Sequence, residues 1–344
     1  MSKAEQIQEA ARFSWLGASP GQEPLDEYYS APAPPKKSTV IASDGSQLYP
    51  DTHGIALYYL INVGAIVYQY GSGERPELHT ECKLYCEEKD IFDEQGYLIP
   101  SSWVNVKRDL GEIEILAKLA VQCPNNSTPC IALIDGQLTL RSIDLPSGMQ
   151  ISYEERYIKA IDKIRQHGAI IAAYIDRPRS SFVVALLHLA NLEIDRITET
   201  TLRQNPFVSI TDADIFDDLK AGERTAVFNQ RSKVNATYSK AGHQIHFFYL
   251  NVGTNQRPAL ARIEIPVWVA YDEKKLNELH AIILQQAAIT DGYPYVLARA
   301  DELAVINNSE REALETILAV SLQQHGVSAT LSHKQRNKNL FRRK

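Results

Sequence analysis

Residues 39–46 read TVIASDGS and residues 130–136 read CIALIDG: two short apolar runs, each closed by Asp-Gly. Runs of this length, rich in β-branched side chains and bounded by turn formers, predict buried strands. If the two strands are neighbours, Asp44 and Asp135 converge at one edge of a sheet. Two carboxylates about 4 Å apart repel by roughly 4 kcal/mol at an effective dielectric near 20. Such a pair persists only with a cation beside it or with a raised pKa. Carboxylate oxygens are hard donors suited to magnesium or manganese, and paired ions of this kind activate water and stabilise the leaving oxygen of a phosphodiester. Asp-Gly is equally a common turn signal, so composition and spacing leave both readings open.

Working outward, residues 55–70 read as two β-rich segments separated near residues 62–64, and residues 78–86 as a third. Residues 103–122 and 151–167 carry helical periodicity, residues 169–175 form a strand and residues 180–192 a helix. Residues 224–265 return to β character, and residues 273–287, 295–307 and 310–325 are helical. The pattern is mixed α/β with a β-rich beginning. Residues 4–16 predict an amphipathic helix, and the Pro-rich APAPPKK at 31–37 a stiff spacer, so residues 1–30 are expected to form a helical arm outside the core.

A chain of 344 residues with 44% apolar and 23% charged residues is ordinary for a globular protein. No apolar run is long enough to span a membrane and the N-terminus lacks a signal-peptide centre, which points to the cytoplasm. The four cysteines are too few for a disulfide framework and lack the spacing of a zinc site, so reduced thiols are expected. No Walker A motif or dinucleotide fingerprint is present, so the chain should not hydrolyse ATP by itself. The net charge of −6 does not advertise a nucleic-acid partner, but phosphate contacts are local. Residues 334–344 carry Lys334, Arg336, Lys338, Arg342, Arg343 and Lys344 without an acid.

Beyond single motifs, ASDGSQLYP at 42–50, RDLGEIEIL at 108–116, LIDGQL at 133–138 and YIDRPRSS at 174–181 resemble, in order, segments of the NurA nucleases. HFFYLNVG at 246–253, ARIEIPVWVA at 261–270, GYPYVLARADELAVI at 292–306 and SHKQRNK at 332–338 continue the similarity. The resemblance implies an α/β ribonuclease H-like mixed sheet flanked by helices, filling residues 36–330 between the arm and linker of 1–35 and a basic tail of 331–344. It also implies manganese- or magnesium-dependent hydrolysis of DNA, with two ions, of the 5′–3′ exonuclease and single-strand endonuclease type. The partners implied are single-stranded DNA and duplex ends, a second copy of the chain, and a HerA-type hexameric ATPase that works with the nuclease in end resection and repair. A catalytically inactive subunit that binds and regulates HerA and DNA is the alternative.

On this template Asp44 and Asp135 are metal ligands, and the helical glutamate between them is Glu112 or Glu114. The two lie about 200° apart around a helix, so only one can face the metals; the spacing from Arg108 favours Glu112. Where many family members place a histidine, eight residues past Tyr293, this chain has Asp301. A carboxylate can replace imidazole on a hard metal, but it is no proton donor at neutral pH without a strongly raised pKa. Tyr293 is a candidate for orienting phosphate or water. Arg177 and Arg179, in an Arg-Pro-Arg loop, are candidates for gripping phosphate, as are Lys334 and Lys338.

Overall fold

The computed structural model describes residues 3–326 except 14, 124–127 and 142–143. Nine strands form one sheet: β1 (Gly17–Pro20), β2 (Ser38–Leu48), β3 (Tyr59–Tyr70), β4 (Glu77–Tyr85), β5 (Cys130–Asp135), β6 (Ile170–Asp176), β7 (Phe228–Arg231), β8 (Ile245–Asn251) and β9 (Leu260–Pro266). Their order is β1-β7-β8-β9-β6-β5-β2-β3-β4. β2, β3 and β4 form an antiparallel meander, and β5 and β6 add in parallel on the other side of β2. Three antiparallel strands extended by two parallel ones are the ribonuclease H arrangement, as the resemblance implied. β9, β8, β7 and β1 lengthen the sheet by antiparallel pairing beyond β6.

The longer helices are α1 (Lys3–Ala10), α2 (Ser101–Leu119), α3 (Ser147–Gln166), α4 (Phe182–Ala190), α5 (Lys233–Lys240), α6 (Glu273–Ala287), α7 (Tyr295–Ala304) and α8 (Asn308–Gln324). Alternation along the strands assigns each side chain to a face. Ile41, Ala132, Ile134 and Ile171 pack with α2 and α3 on one side. Val40, Ala42, Leu133 and Ala172 pack with α6 and α7 on the other. Strands covered on both faces lose the alternation of apolar and polar residues, which is why TVIAS and CIALI are almost wholly apolar.

Several expectations need correction. β2 does not end at Asp44 but runs on to Leu48, because β3 pairs with it throughout, whereas β5 pairs only as far as Ser43. β3 is one strand rather than two segments parted near residues 62–64, since Asn62 and Gly64 both pair with β2 and β4. The N-terminal helix is Lys3–Ala10, shorter than residues 4–16, and Gly17–Pro20 is a strand on the edge of the sheet rather than part of a detached arm. Just beyond β1, Glu23 fastens the chain to the sheet, accepting two hydrogen bonds from the Arg224 guanidinium and one from the Val227 N–H. Cys123 and Cys130, whose Cα atoms lie 6.0 Å apart where the chain leaves α2 and enters β5, are joined as a disulfide rather than left as thiols. Cys82 and Cys86 are free and exposed. Among the described residues no helix is long and apolar enough to cross a membrane.

Candidate active site

Asp44 and Asp135 meet because β2 and β5 are adjacent and parallel. Ser43 pairs with Ile134, so each aspartate follows the last shared pair of the ladder. Two glycines then let helices approach the same point. A Cβ on Gly45 would lie 2.5 Å from Arg108 Cγ and 2.6 Å from Glu112 Oε1, so a side chain here would push Arg108 and Glu112 from their present places. Gly64, directly opposite Asp44 on β3, is in the same position toward α7: a Cβ there would lie 2.6 Å from the Ala304 nitrogen and 2.7 Å from the Ala300 carbonyl oxygen. The last turn of α7 is tied down by Asn62, whose Nδ2 donates to the carbonyls of Ala304 at 2.8 Å and Leu303 at 3.2 Å. Ser46 donates to the Ala304 carbonyl as well. This seat holds Asp301 beside Asp44.

Asp44, Asp135, Tyr293, Leu297, Asp301 and Glu302 line a cleft of about 370 Å³. Burial raises the Asp44 carboxyl to about 6; its hydrogen bond with Asp301 and the nearby charges of Asp301 and Asp135 add to the rise, and the Gly45 N–H opposes it. Burial also raises Asp135, helped by the charges of Asp176 and Asp301 and opposed by hydrogen bonds from the Tyr293 hydroxyl and the Gly136 N–H. The Tyr293 hydroxyl is itself pushed up by burial and by Asp135, so it stays a proton donor. Its ring meets that of Tyr174 edge-on at 5.3 Å.

α2 turns its two glutamates in opposite directions. Glu112 is 8% exposed, and its carboxyl is held well above the usual range by burial and by Asp109, Asp44 and Asp135, against the pull of Arg108. Arg108 Nε lies 3.2 Å from it, while the same guanidinium also holds Asp109 and Gln47. Glu114 faces away and binds Arg156 of α3 through both oxygens. The structure brings Asp44, Asp135, Asp301 and Tyr293 around one cleft; Glu112 is not among its lining residues but lies within reach of the charges of Asp44 and Asp135, and Glu114 is left out.

Asp176, the last residue of β6, was missed; its charge acts on Asp135 from the neighbouring strand. The signal was present, since AAYID at 172–176 ends in an acid just as IALID at 131–135 does. Arg177 and Arg179 follow on an exposed loop at this end of β6. Arg177 adopts φ 44°, uncommon for a residue with a side chain, and its Nε lies 3.2 Å from Asp176. Lys334 and Lys338 lie outside the described residues.

Among the described residues no three His, Cys, Asp or Glu side chains are already gathered closely enough to surround an ion. The donor set nevertheless suits a hard divalent cation: oxygen donors on β2, β5 and α7 face one cleft.

The sequence matches the family model described as the NurA domain over residues 38–306. No curated protein matched. Among solved structures, the NurA nuclease from Sulfolobus solfataricus is 10% identical with a TM-score of 0.55, covering 94% of this chain and 92% of that one. A NurA structure with manganese is 11% identical with a TM-score of 0.48, covering 92% and 93%. The catalytic domain of human endonuclease V is 12% identical with a TM-score of 0.34, covering 92% and 96%. The likeness to the Sulfolobus enzyme shows a common fold; the other two are too remote to add to it. Matched across the whole stretch from β2 to the turn after α7, the chain belongs to the NurA domain family.

Proposed function

We propose that the chain hydrolyses DNA phosphodiester bonds with manganese or magnesium, two ions being held by Asp44, Asp135 and Asp301, with Glu112 completing the set. The observation that carries this reading is the cleft itself: acids on three separate elements share it, and no basic residue is among those that line it. Bound ions would supply an activated water and a stabilised leaving oxygen. For the chain's own residues, the Tyr293 hydroxyl orients Asp135 by donating to it. Arg108 holds the Glu112 carboxyl against α2. Arg177 and Arg179, on the exposed loop after β6, grip backbone phosphates, as would Lys334 and Lys338 of the tail. Asp301 serves as a ligand rather than as a proton donor.

The family supports a finer reading as well: 5′–3′ exonuclease and single-strand endonuclease action on DNA ends, by a homodimer working with a HerA-type ATPase. The test incubates the purified chain, alone and with such an ATPase, with end-labelled single- and double-stranded DNA in manganese, magnesium or EDTA, beside Asp44→Ala and Asp135→Ala. Metal-dependent cleavage lost in both variants is expected. A second reading, a non-cleaving subunit that binds DNA or the ATPase, is favoured by the ungathered ligands of the cleft. It predicts binding without cleavage in either metal, and that result would replace the nuclease reading.

A further inference from the structure

On the other side of α2, the face that carries Glu114 joins β3, β4 and α3 around a second cleft, of about 440 Å³. Its character is opposite to that of the carboxylate cleft. Lys83, Lys107, Lys118 and Arg156 line it, together with the rings of Tyr85 and Tyr153. Tyr85 is fixed by stacking on the buried Tyr59, with ring centroids 4.4 Å apart and planes 10° apart. The Lys83 ammonium lies 4.8 Å from the centre of the Tyr85 ring, and the Arg156 guanidinium 5.6 Å from that of Tyr153.

Three acids also line this cleft, and the balance of charge decides what it can hold. Glu114 is taken up by Arg156 and Glu81 by Lys118. Asp90 is only 3.9 Å from Lys107 Nζ, a long ion pair for an ammonium that is 16% exposed. Lys107 otherwise donates to the Tyr59 hydroxyl and lies near the rings of Tyr59 and Tyr85. Among the described residues Lys83 has no ion pair; its ammonium lies over the Tyr85 ring. One cation is thus nearly buried with a distant partner and a second has none. Burying a charge without a close partner is costly, and an incoming anion offsets that cost.

We propose that this cleft is a second binding site for one nucleotide unit, with its phosphate on Lys83 and Lys107 and its base against Tyr85 or Tyr153. The volume is within the range of small-ligand sites. Cations interleaved with fixed aromatic rings are the combination that recognises a phosphate and the π-face of a base together; a bare phosphate would leave both rings unused. The unit is either a free mononucleotide or one nucleotide of a passing strand. The site does not depend on the proposed hydrolysis, because none of its residues lines the carboxylate cleft.

The test measures equilibrium binding of thymidine 5′-monophosphate, inorganic phosphate and a labelled thymidine octanucleotide to the full chain in EDTA, which keeps metal out of the carboxylate cleft. Binding of the monophosphate or the octanucleotide is expected, weakened at least about tenfold in Lys83→Glu. Lys83 is exposed, so the variant should keep its melting temperature; Lys83→Ala gives a smaller loss in the same direction. Monophosphate binding assigns the site to free nucleotides, and binding of the octanucleotide alone assigns it to a strand. No binding of either, an affinity unchanged in Lys83→Glu, or equal affinity for inorganic phosphate and the monophosphate would overturn the proposal.

Discussion

At the far half of the sheet, Asp212 accepts the backbone N–H groups of Phe182, Val183 and Val184 at the start of α4, each at 2.9 Å, and the Tyr249 hydroxyl at 2.5 Å. Burial pushes its carboxyl up, and these bonds pull it back. Glu264 nearby accepts from Arg262 at 2.6 Å and from the Leu138 N–H at 2.9 Å. At the near half, Asp44 is half-buried and Asp135, though partly desolvated, is exposed, and the charges that act on both are those of other acids. The far acids are deeply buried and the near ones are not, and what differs most is how far the fold itself supplies compensating donors. Acids that the fold saturates are fasteners, and acids left facing one another are ready for something the chain does not provide. Arg262 shows how closely the two are joined, because through Glu264 it braces the turn after Asp135.

The contrast is sharpest in substitutions that remove charge. Asp44→Asn and Asp135→Asn should each lower metal-dependent DNA cleavage by at least about 1,000-fold, while the metal-free protein melts no lower than wild type. Glu264→Ala should do the opposite to stability, leaving an Arg262 that is 3% exposed without its partner, at a cost of about 3–5 kcal/mol by urea unfolding. If both kinds of substitution shift stability in the same direction, the distinction fails. Within α2, Glu112→Gln should cost about 100-fold in cleavage, and Glu114→Gln less than about twofold.

The smallest effect is in pH dependence. The folded Asp44 carboxyl lies at about 6, above an unfolded value of about 3.9. Between the two the folded state binds the extra proton, so this group favours folding at low pH and that contribution is lost as pH rises through 6. The melting temperature of wild type in EDTA should therefore fall from pH 5 to pH 7.5 relative to that of Asp44→Asn. Added manganese should raise it at pH 7.5, by an increment that shrinks as protons compete below pH 6. Parallel curves for the two proteins in EDTA would remove Asp44 as the cause.

The parts that lay open in the sequence are those written in local pattern. Apolar runs marked β2, β5 and β6, and helical period marked α2 and α3; that β2 and β5 are neighbours is only a condition in the sequence, and their parallel pairing meets it. What was hidden depends on contacts between distant segments. The continuation of β2 past Asp44 rests on β3, and the seat of Asp301 on Gly64, a glycine that reads as a strand break until α7 is laid over it. Residues 17–20, GASP, carry no strand pattern and take their conformation from the open edge of β7. Asp176 closes β6 with the same Ile-Asp ending that Asp135 gives β5, a local signal readable in the sequence. Helical geometry poses the choice between Glu112 and Glu114; the structure turns Glu112 toward Gly45 and ties Glu114 to Arg156, which favours Glu112 as the proposed ligand.

The central claim is that the facing acids of β2, β5 and α7 are a site for divalent ions. It is tested most directly by titrating manganese into metal-stripped protein at pH 7.5 and following the free ion by electron paramagnetic resonance. The account predicts uptake by wild type, loss of uptake in Asp44→Asn and Asp135→Asn, and retention in Glu114→Gln. No uptake by wild type, or uptake that survives in both aspartate variants, would contradict it.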